Sequence, residues 1–408
     1  MKFKIEQASR ILIFLSLLLF TISSCHDDIA LPYPPDKEAT DTARLTTLVY
    51  IMAENRLATF AASDLKEIKS SATLVPDDCN MLAFVDDAKL PLICRFYNKN
   101  GFSECDTVYR FNEDFCSSDT IAMREVFDIV LEKYPAHSMN LVMWSHGSGW
   151  IRSKSSPVQR SIGVDNEKNS PFTDSYKTTI EIEELATFIQ SLPVEVELLM
   201  FDACFMQNVE TAYALRNSAK WILASPAELP ANGAPYNLIL EYFFEEPFDE
   251  VAVENLMNAY FSAYSKLDEG VVLSVVRCSE MENLAEQTAA VSHNFSRASN
   301  NSYGNIFTYL PGNNNYPDYF DINAAMLEYL SPSDYAKWKE ALNLAVPYKC
   351  ASYSWWTDIY RRYFYVAHDR YSGISIYLPQ DKAQSQQFNE ELTSTEWYNA
   401  VGWSSAGW

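Results

Sequence analysis

Two short stretches hold the residue types that nucleophilic catalysis needs. Residues 144–150 read Trp-Ser-His-Gly-Ser-Gly-Trp, and residues 200–206 read Met-Phe-Asp-Ala-Cys-Phe-Met. Each follows directly on an apolar run, residues 139–145 and 196–201. A cysteine thiolate is a strong nucleophile, and a nearby imidazole can take its proton and later protonate a leaving amine. Cys204 and His146 are therefore the candidate nucleophile and acid–base group. An adjacent imidazolium, and the positive end of a helix opening after Cys204, would favour the thiolate. Gly147 lets the backbone approach a substrate closely, and its N–H together with that of Cys204 would hold a developing oxyanion. Each residue alone also fits a bland role, since a lone Cys after a strand is commonly a small buried residue. A serine hydrolase elbow is excluded, because Gly-x-Ser-x-Gly requires glycine where His146 stands. His137, His293 and His368 lie outside such blocks, and Glu210 reads as a carboxylate that caps or packs a helix.

Those two stretches need a scaffold that brings strand ends together. Apolar, β-rich runs at residues 45–53, 80–85, 139–145, 196–201 and 221–225 alternate with helical stretches near 63–70, 118–134, 178–192 and 206–217. Continuous apolar strands separated by amphipathic helices predict a mostly parallel sheet covered on both faces, a three-layer α/β/α sandwich. In such sheets ligands sit beyond the carboxyl ends of the strands, which is where His146 and Cys204 fall. One more strand and helix, 271–276 and 280–290, and a late strand, 373–378, lie in residues 251–408. That region either completes the core of residues 45–250 or forms a small accessory subdomain. Its aromatic, Asn-rich stretch at 302–320 reads as exposed-loop packing.

In the order strand–His-Gly and strand–Asp-Ala-Cys, the sequence resembles the superfamily of caspases, legumains, gingipains and clostripains. SHGSGW and FDACFMQNVETAYAL are most similar to its clostripain-type members, as are LVYIMAENRLATFAASDLKEI near the start and YSGISIYLP near the end. The resemblance implies a caspase-like fold with C-terminal additions and cysteine endopeptidase activity. It implies a dyad of His146 and Cys204 without a third orienting residue, and Asp202 as a contact for a basic P1 side chain. The stretch 224–228, Ala-Ser-Pro-Ala-Glu, is less acidic than in strictly Arg-selective members. It further implies self-cleavage between the two blocks, with Arg160 the first choice of bond. No metal ligand set or cofactor is implied, and any calcium requirement stays open.

The amino terminus predicts where such an enzyme works. Lys2, Lys4 and Arg10 precede an apolar run, residues 11–22, and then Ser23-Ser24-Cys25, which describes a secretory signal over residues 1–24. Ile22-Ser23-Ser24-Cys25 is similar to a bacterial lipobox, in which Cys25 is lipidated. His26-Asp27-Asp28 resembles a short surface-export signal of Bacteroidetes lipoproteins. Residues 25–44, Pro-rich and polar, read as a tether. The expected site is the bacterial cell envelope, at the outer membrane and facing either the surface or the periplasm, with Cys25 as the membrane contact. No internal run reaches the roughly 18 apolar residues of a membrane span. The formal charge of −23 repels phosphate backbones, so nucleic acid is disfavoured as a partner. Seven cysteines remain beyond Cys25, and Cys94 and Cys105 flank an Asn-Lys-Asn-Gly turn, which makes them either cross-strand partners or reduced thiols. The residues thus predict a lipoprotein cysteine endopeptidase that takes peptide or protein substrates. Two other readings stay open: a catalytically silent, peptidase-like binding lipoprotein, and a thiol amidase.

Overall fold

The computed structural model describes residues 42–87, 89–151, 161–165, 179–265, 269–299 and 303–408. Cys25, Arg160 and the expected signal and tether up to residue 41 lie outside the described residues. The first eight strands are β1 (Ala43–Met52), β2 (Cys79–Asp86), β3 (Leu92–Lys99), β4 (Phe102–Arg110), β5 (Ala136–Trp144), β6 (Glu195–Asp202), β7 (Trp221–Ala224) and β8 (Val272–Arg277). After them come β9 (Thr308–Leu310), β10 (Tyr319–Asp321), β11 (Tyr348–Ala351), β12 (Ser354–Thr357), β13 (Arg362–Tyr365) and β14 (Ser375–Ile376).

Nine strands form the main sheet, in the order β11-β8-β7-β6-β5-β1-β2-β3-β4. The pairs β2–β1, β1–β5, β5–β6 and β6–β7 are parallel, while β3, β4, β8 and β11 pair antiparallel at the edges. Strands β8 and β11 come from residues beyond 250, so that region extends the same sheet. Alternation along β1 shows why the sheet is covered twice. Leu48, Tyr50 and Met52 enter a core built with the helices α2 (Thr120–Lys133), α3 (Ile182–Gln190) and α4 (Val209–Ala214). Val49 and Ile51 enter the opposite core, with α1 (Ala58–Ser70) and the helix Glu250–Tyr264. A residue period of two on a strand buried on both faces produces these two cores, and with them the three layers.

Local signals set the element ends. Asp119 caps α2 by accepting from the Ile121 amide at 2.8 Å, and Asn208 caps α4 by accepting from the Thr211 amide at 2.8 Å. The β3–β4 turn places Asn100 and Gly101 at φ of 56° and 85°, the left-handed pair of a tight hairpin. Two expectations change. The late strand expected over 373–378 is short: only Ser375–Ile376 pairs, in a separate three-stranded sheet ordered β14-β10-β9. The aromatic stretch is not an exposed loop, since Tyr309, Tyr319 and Phe320 are buried. No helix among the described residues is long and apolar enough to cross a membrane.

Candidate active site

Strands β5 and β6 run side by side, and their last registered pair is Trp144 with Asp202. The ladder continues one step further, with the Ser145 amide donating to the Asp202 carbonyl at 3.4 Å. His146 and Cys204 therefore each stand two residues past the same rung, on neighbouring chains that parallel pairing holds about 4.8 Å apart.

Close packing fixes the two turns against each other. A Cβ added at Gly147 would fall 2.7 Å from the Cys204 carbonyl oxygen and 2.9 Å from Met206 Sδ. Gly149 adopts φ +71°, and a Cβ there would fall 2.4 Å from Asn208 Nδ2. Glycine is needed at both places for contact, and at Gly149 for backbone conformation as well. On the other side of the His turn, Ser145 Oγ donates to the Met52 carbonyl at 2.8 Å and accepts from the Val164 amide at 3.0 Å. The Cys turn passes through Phe205 at φ 59°, left-handed for a bulky residue. Its ring is buried and stacks on Tyr319 at 4.9 Å, while the Tyr319 hydroxyl donates to the Ser148 carbonyl at 2.8 Å. One aromatic from the C-terminal region thus braces both the His146 turn and the Cys204 turn. Its distance in sequence hid this role; the clustering of Tyr and Phe over 302–320 was the available signal.

The thiol is partly buried. Cys204 Sγ accepts from the Leu229 amide at 3.3 Å and lies 3.8 Å from the Leu229 carbonyl oxygen. Burial pushes the thiol up to about 12, and the charges of Glu228, Asp202 and Asp358 push the same way. Burial, and then the charge of Arg56, bring His146 down to about 4. Burial thus disfavours the charged form of both groups, against the expected thiolate–imidazolium pair. The helix invoked to favour the thiolate begins only at Val209, so its positive end is not at the sulfur.

Asp202 closes β6 and is buried. Its Oδ2 accepts from the Ala234 amide at 3.0 Å and from the Tyr236 hydroxyl at 3.1 Å. Burial raises its carboxyl to about 6 against those two hydrogen bonds. Beneath it lies Asp64, which accepts from the Trp144 indole at 2.7 Å and is raised to about 9, first by burial and then by the Asp202 charge. Glu67, on the same helix, adds its charge to both. No motif in the sequence pointed to Asp64 or Glu67. Among the described residues none of these three carboxylates is ion-paired. Glu228 accepts from the Asp358 amide at 3.1 Å, which places the turn between β12 and β13 beside the loop over the sulfur.

The remaining expected residues fall as follows. Glu210 is buried and accepts from the Tyr377 amide at 2.8 Å, tying α4 to the segment after β14. His137, His293 and His368 are exposed and outside the site. Cys94 and Cys105 are free thiols on β3 and β4, diagonal to each other because Cys94 pairs with Thr107 and Cys105 with Phe96.

Known proteins with this arrangement were then compared. The clostripain family model matches residues 49–408. Clostripain of Hathewaya histolytica is 28% identical over 229 residues, 48% of this chain and 42% of that protein, so the match spans less than half of the relative's length. A secreted C11 cysteine protease from Bacteroides thetaiotaomicron, solved with an irreversible peptide inhibitor, superposes with a TM-score of 0.75 at 28% identity. That superposition covers 89% of this chain and 100% of the other. An inactive zymogen C11 protease from Parabacteroides distasonis gives a TM-score of 0.73 at 25% identity, with 89% and 99% covered.

Proposed function

The chain belongs to the clostripain family, and from that premise we propose that it is a cysteine endopeptidase with Cys204 as nucleophile and His146 as acid and base. The observation that carries this reading is the shared rung: His146 and Cys204 each follow by two residues the last registered pair of neighbouring parallel strands, with Gly147 packed on the Cys204 carbonyl. The resting dyad is neutral, so His146 takes the thiol proton as sulfur attacks the scissile carbonyl carbon. The amides of Gly147 and Cys204 donate to no other group among the described residues, which leaves them for the oxyanion. Collapse breaks the C–N bond while the imidazolium protonates the leaving amine, leaving a thioester. Water then attacks with His146 as base, which releases the acid and restores the thiol.

Preference for a basic P1 residue is the finer proposal. Asp202, Asp64 and Glu67 are desolvated carboxyl groups without a cationic partner among the described residues, and a guanidinium or ammonium would supply one and favour their ionised forms. Glu228 and Asp358 add negative charge near the thiol. A panel of fluorogenic peptides varying only P1 tests this. Arg or Lys substrates should lead, and Asp202→Asn should lower their kcat/KM by roughly 10- to 150-fold, the worth of a charged hydrogen bond. Equal rates for neutral and basic P1 would refute it.

Export and anchoring through lipidated Cys25 rest on the residue pattern over 1–25. Activation by a cut between the two blocks, with Arg160 as the bond, is supported by the contact of the Leu229 backbone with the Cys204 sulfur. Two gel fragments for wild type beside one for Cys204→Ala would mark such a cut.

A further inference from the structure

Strands β12 and β13 form a two-stranded hairpin whose faces differ in kind. The paired Trp355 and Phe364 serve the core: their rings stack at 5.9 Å, and the fully buried Trp355 packs on Tyr309 at 6.2 Å. The neighbouring pair, Trp356 with Tyr363, and then Tyr365 opposite Ser354, fall on the other face by the residue period of two. That face is aromatic and open to solvent. Tyr363 is 41% exposed and Tyr365 61%, while Tyr353, whose ring meets Tyr365 at 5.5 Å, is 73% exposed. The Trp356 and Tyr363 rings meet at 5.1 Å. Contiguous exposed apolar surface of this kind marks a place where something docks.

A short chain of contacts ties the hairpin to the nucleophile. The Trp356 indole donates to Asp358 at 2.7 Å, and the Asp358 amide donates to Glu228 at 3.1 Å. The amide of the next residue, Leu229, donates to Cys204 Sγ at 3.3 Å. The charge of Asp358 acts on that same thiol. Residues 225–229 follow β7, which lies on the side of β6 away from β5 and His146. His146 protonates the leaving amine, so the substrate beyond the scissile bond departs over β5. The part before the bond therefore extends over β7, toward the hairpin.

We propose that the exposed face of this hairpin, Trp356 and Tyr363 with Tyr365 and Tyr353 beside them, is a subsite for an apolar or aromatic side chain upstream of the scissile bond. The inference rests on the cysteine endopeptidase reading, because the roles of His146 and Cys204 give the peptide its direction. Contacts of hydrogen-bond length and the residues between them set Trp356 on the order of 10 Å from the sulfur, about three residues of extended peptide at roughly 3.3 Å each. Positions P3 and P4 have that reach. Edge-on or offset ring contact adds to the apolar area removed from water, which favours Phe or Leu there over Ala. Glu228 and Asp358 border the rings on the side of the thiol and disfavour an acidic side chain.

The test uses full-length protein and fluorogenic tetrapeptides, with P1 fixed at the residue cleaved best and P3 or P4 varied among Phe, Leu, Ala and Asp. In the wild type, Phe should exceed Ala by about tenfold in kcat/KM at one of the two positions, with Asp below Ala. Tyr363→Ala and Trp356→Ala should each bring the Phe-to-Ala ratio to within about twofold, and Tyr363→Phe, which keeps the ring, should preserve it. The ratio is read within each variant, so general damage, which slows both peptides alike, does not imitate its loss. Tyr363→Ala, at an exposed position, decides the matter if Trp356→Ala does not fold. Equal kcat/KM for Phe and Ala at both positions in the wild type, or a folded Tyr363→Ala that keeps the preference, would overturn the proposal in favour of a partner protein on this face. Absence of hydrolysis for every P1 tried would overturn the endopeptidase reading itself, and this inference with it.

Discussion

Substituting Gly147 by alanine adds one methyl group at the contact that holds the two catalytic turns together. That methyl would lie 2.7 Å from the Cys204 carbonyl oxygen, whereas ordinary contacts begin at 3.4 Å, a deficit of 0.7 Å. The 2.9 Å approach to Met206 Sδ can be relieved by moving a flexible side chain, but the carbonyl belongs to the backbone that carries the nucleophile. Relief must therefore come from sliding the His turn away from the Cys turn. Overpacking of this kind costs about 1–3 kcal/mol in stability, and displacing reacting groups by about 1 Å costs on the order of a hundredfold in rate. Gly147→Ala should thus lower kcat/KM by roughly 10- to 100-fold while Tm falls by only a few degrees. Both are measured on one preparation, by hydrolysis of a fluorogenic peptide and by calorimetry. Wild-type kcat/KM in a folded variant would refute the claim that this contact sets the dyad geometry.

Two further outcomes follow from the site and the amino terminus. With the Cys204 thiol at about 12, only roughly 3 in 100,000 molecules hold a thiolate at pH 7.5, against about one in ten for an ordinary thiol. Iodoacetamide inactivation of the free enzyme should then rise about tenfold per pH unit from pH 7 to 10, and a plateau below pH 8 would contradict the neutral resting dyad. Cys25→Ser should shift the protein from the membrane to the soluble fraction, since acyl chains supply most of such an anchor's affinity, and unchanged fractionation would remove the lipobox reading.

The middle of the fold was legible because its strands are buried on both faces. Runs such as residues 80–85 and 196–201 contain little but apolar residues, and only a covered parallel sheet uses such strands. The same logic put His146 and Cys204 at strand ends, and the parallel register of those strands sets each two residues past the last registered pair. The edges were harder to read. Strand β14 pairs over two residues only, the next amide, of Tyr377, going to the Glu210 side chain, and no residue period marks that. The electrostatics of the two residues were hard to read for a related reason. Residue types predict a thiolate beside an imidazolium, but ionisation depends on burial under Leu229, a residue 25 positions away along the chain. Asp64 and Glu67 were invisible for the same cause, since a carboxylate on an amphipathic helix looks solvated until the helix is docked.

The central claim is that Cys204 forms the covalent intermediate, and the measurement that reaches it most directly is kcat/KM of Cys204→Ala on the best basic-P1 peptide. Removing one sulfur atom leaves the packing of the turn nearly intact, so Tm should match the wild type while hydrolysis falls by roughly a thousandfold or more. A folded Cys204→Ala protein that retains more than about a tenth of wild-type kcat/KM would contradict covalent catalysis at this residue.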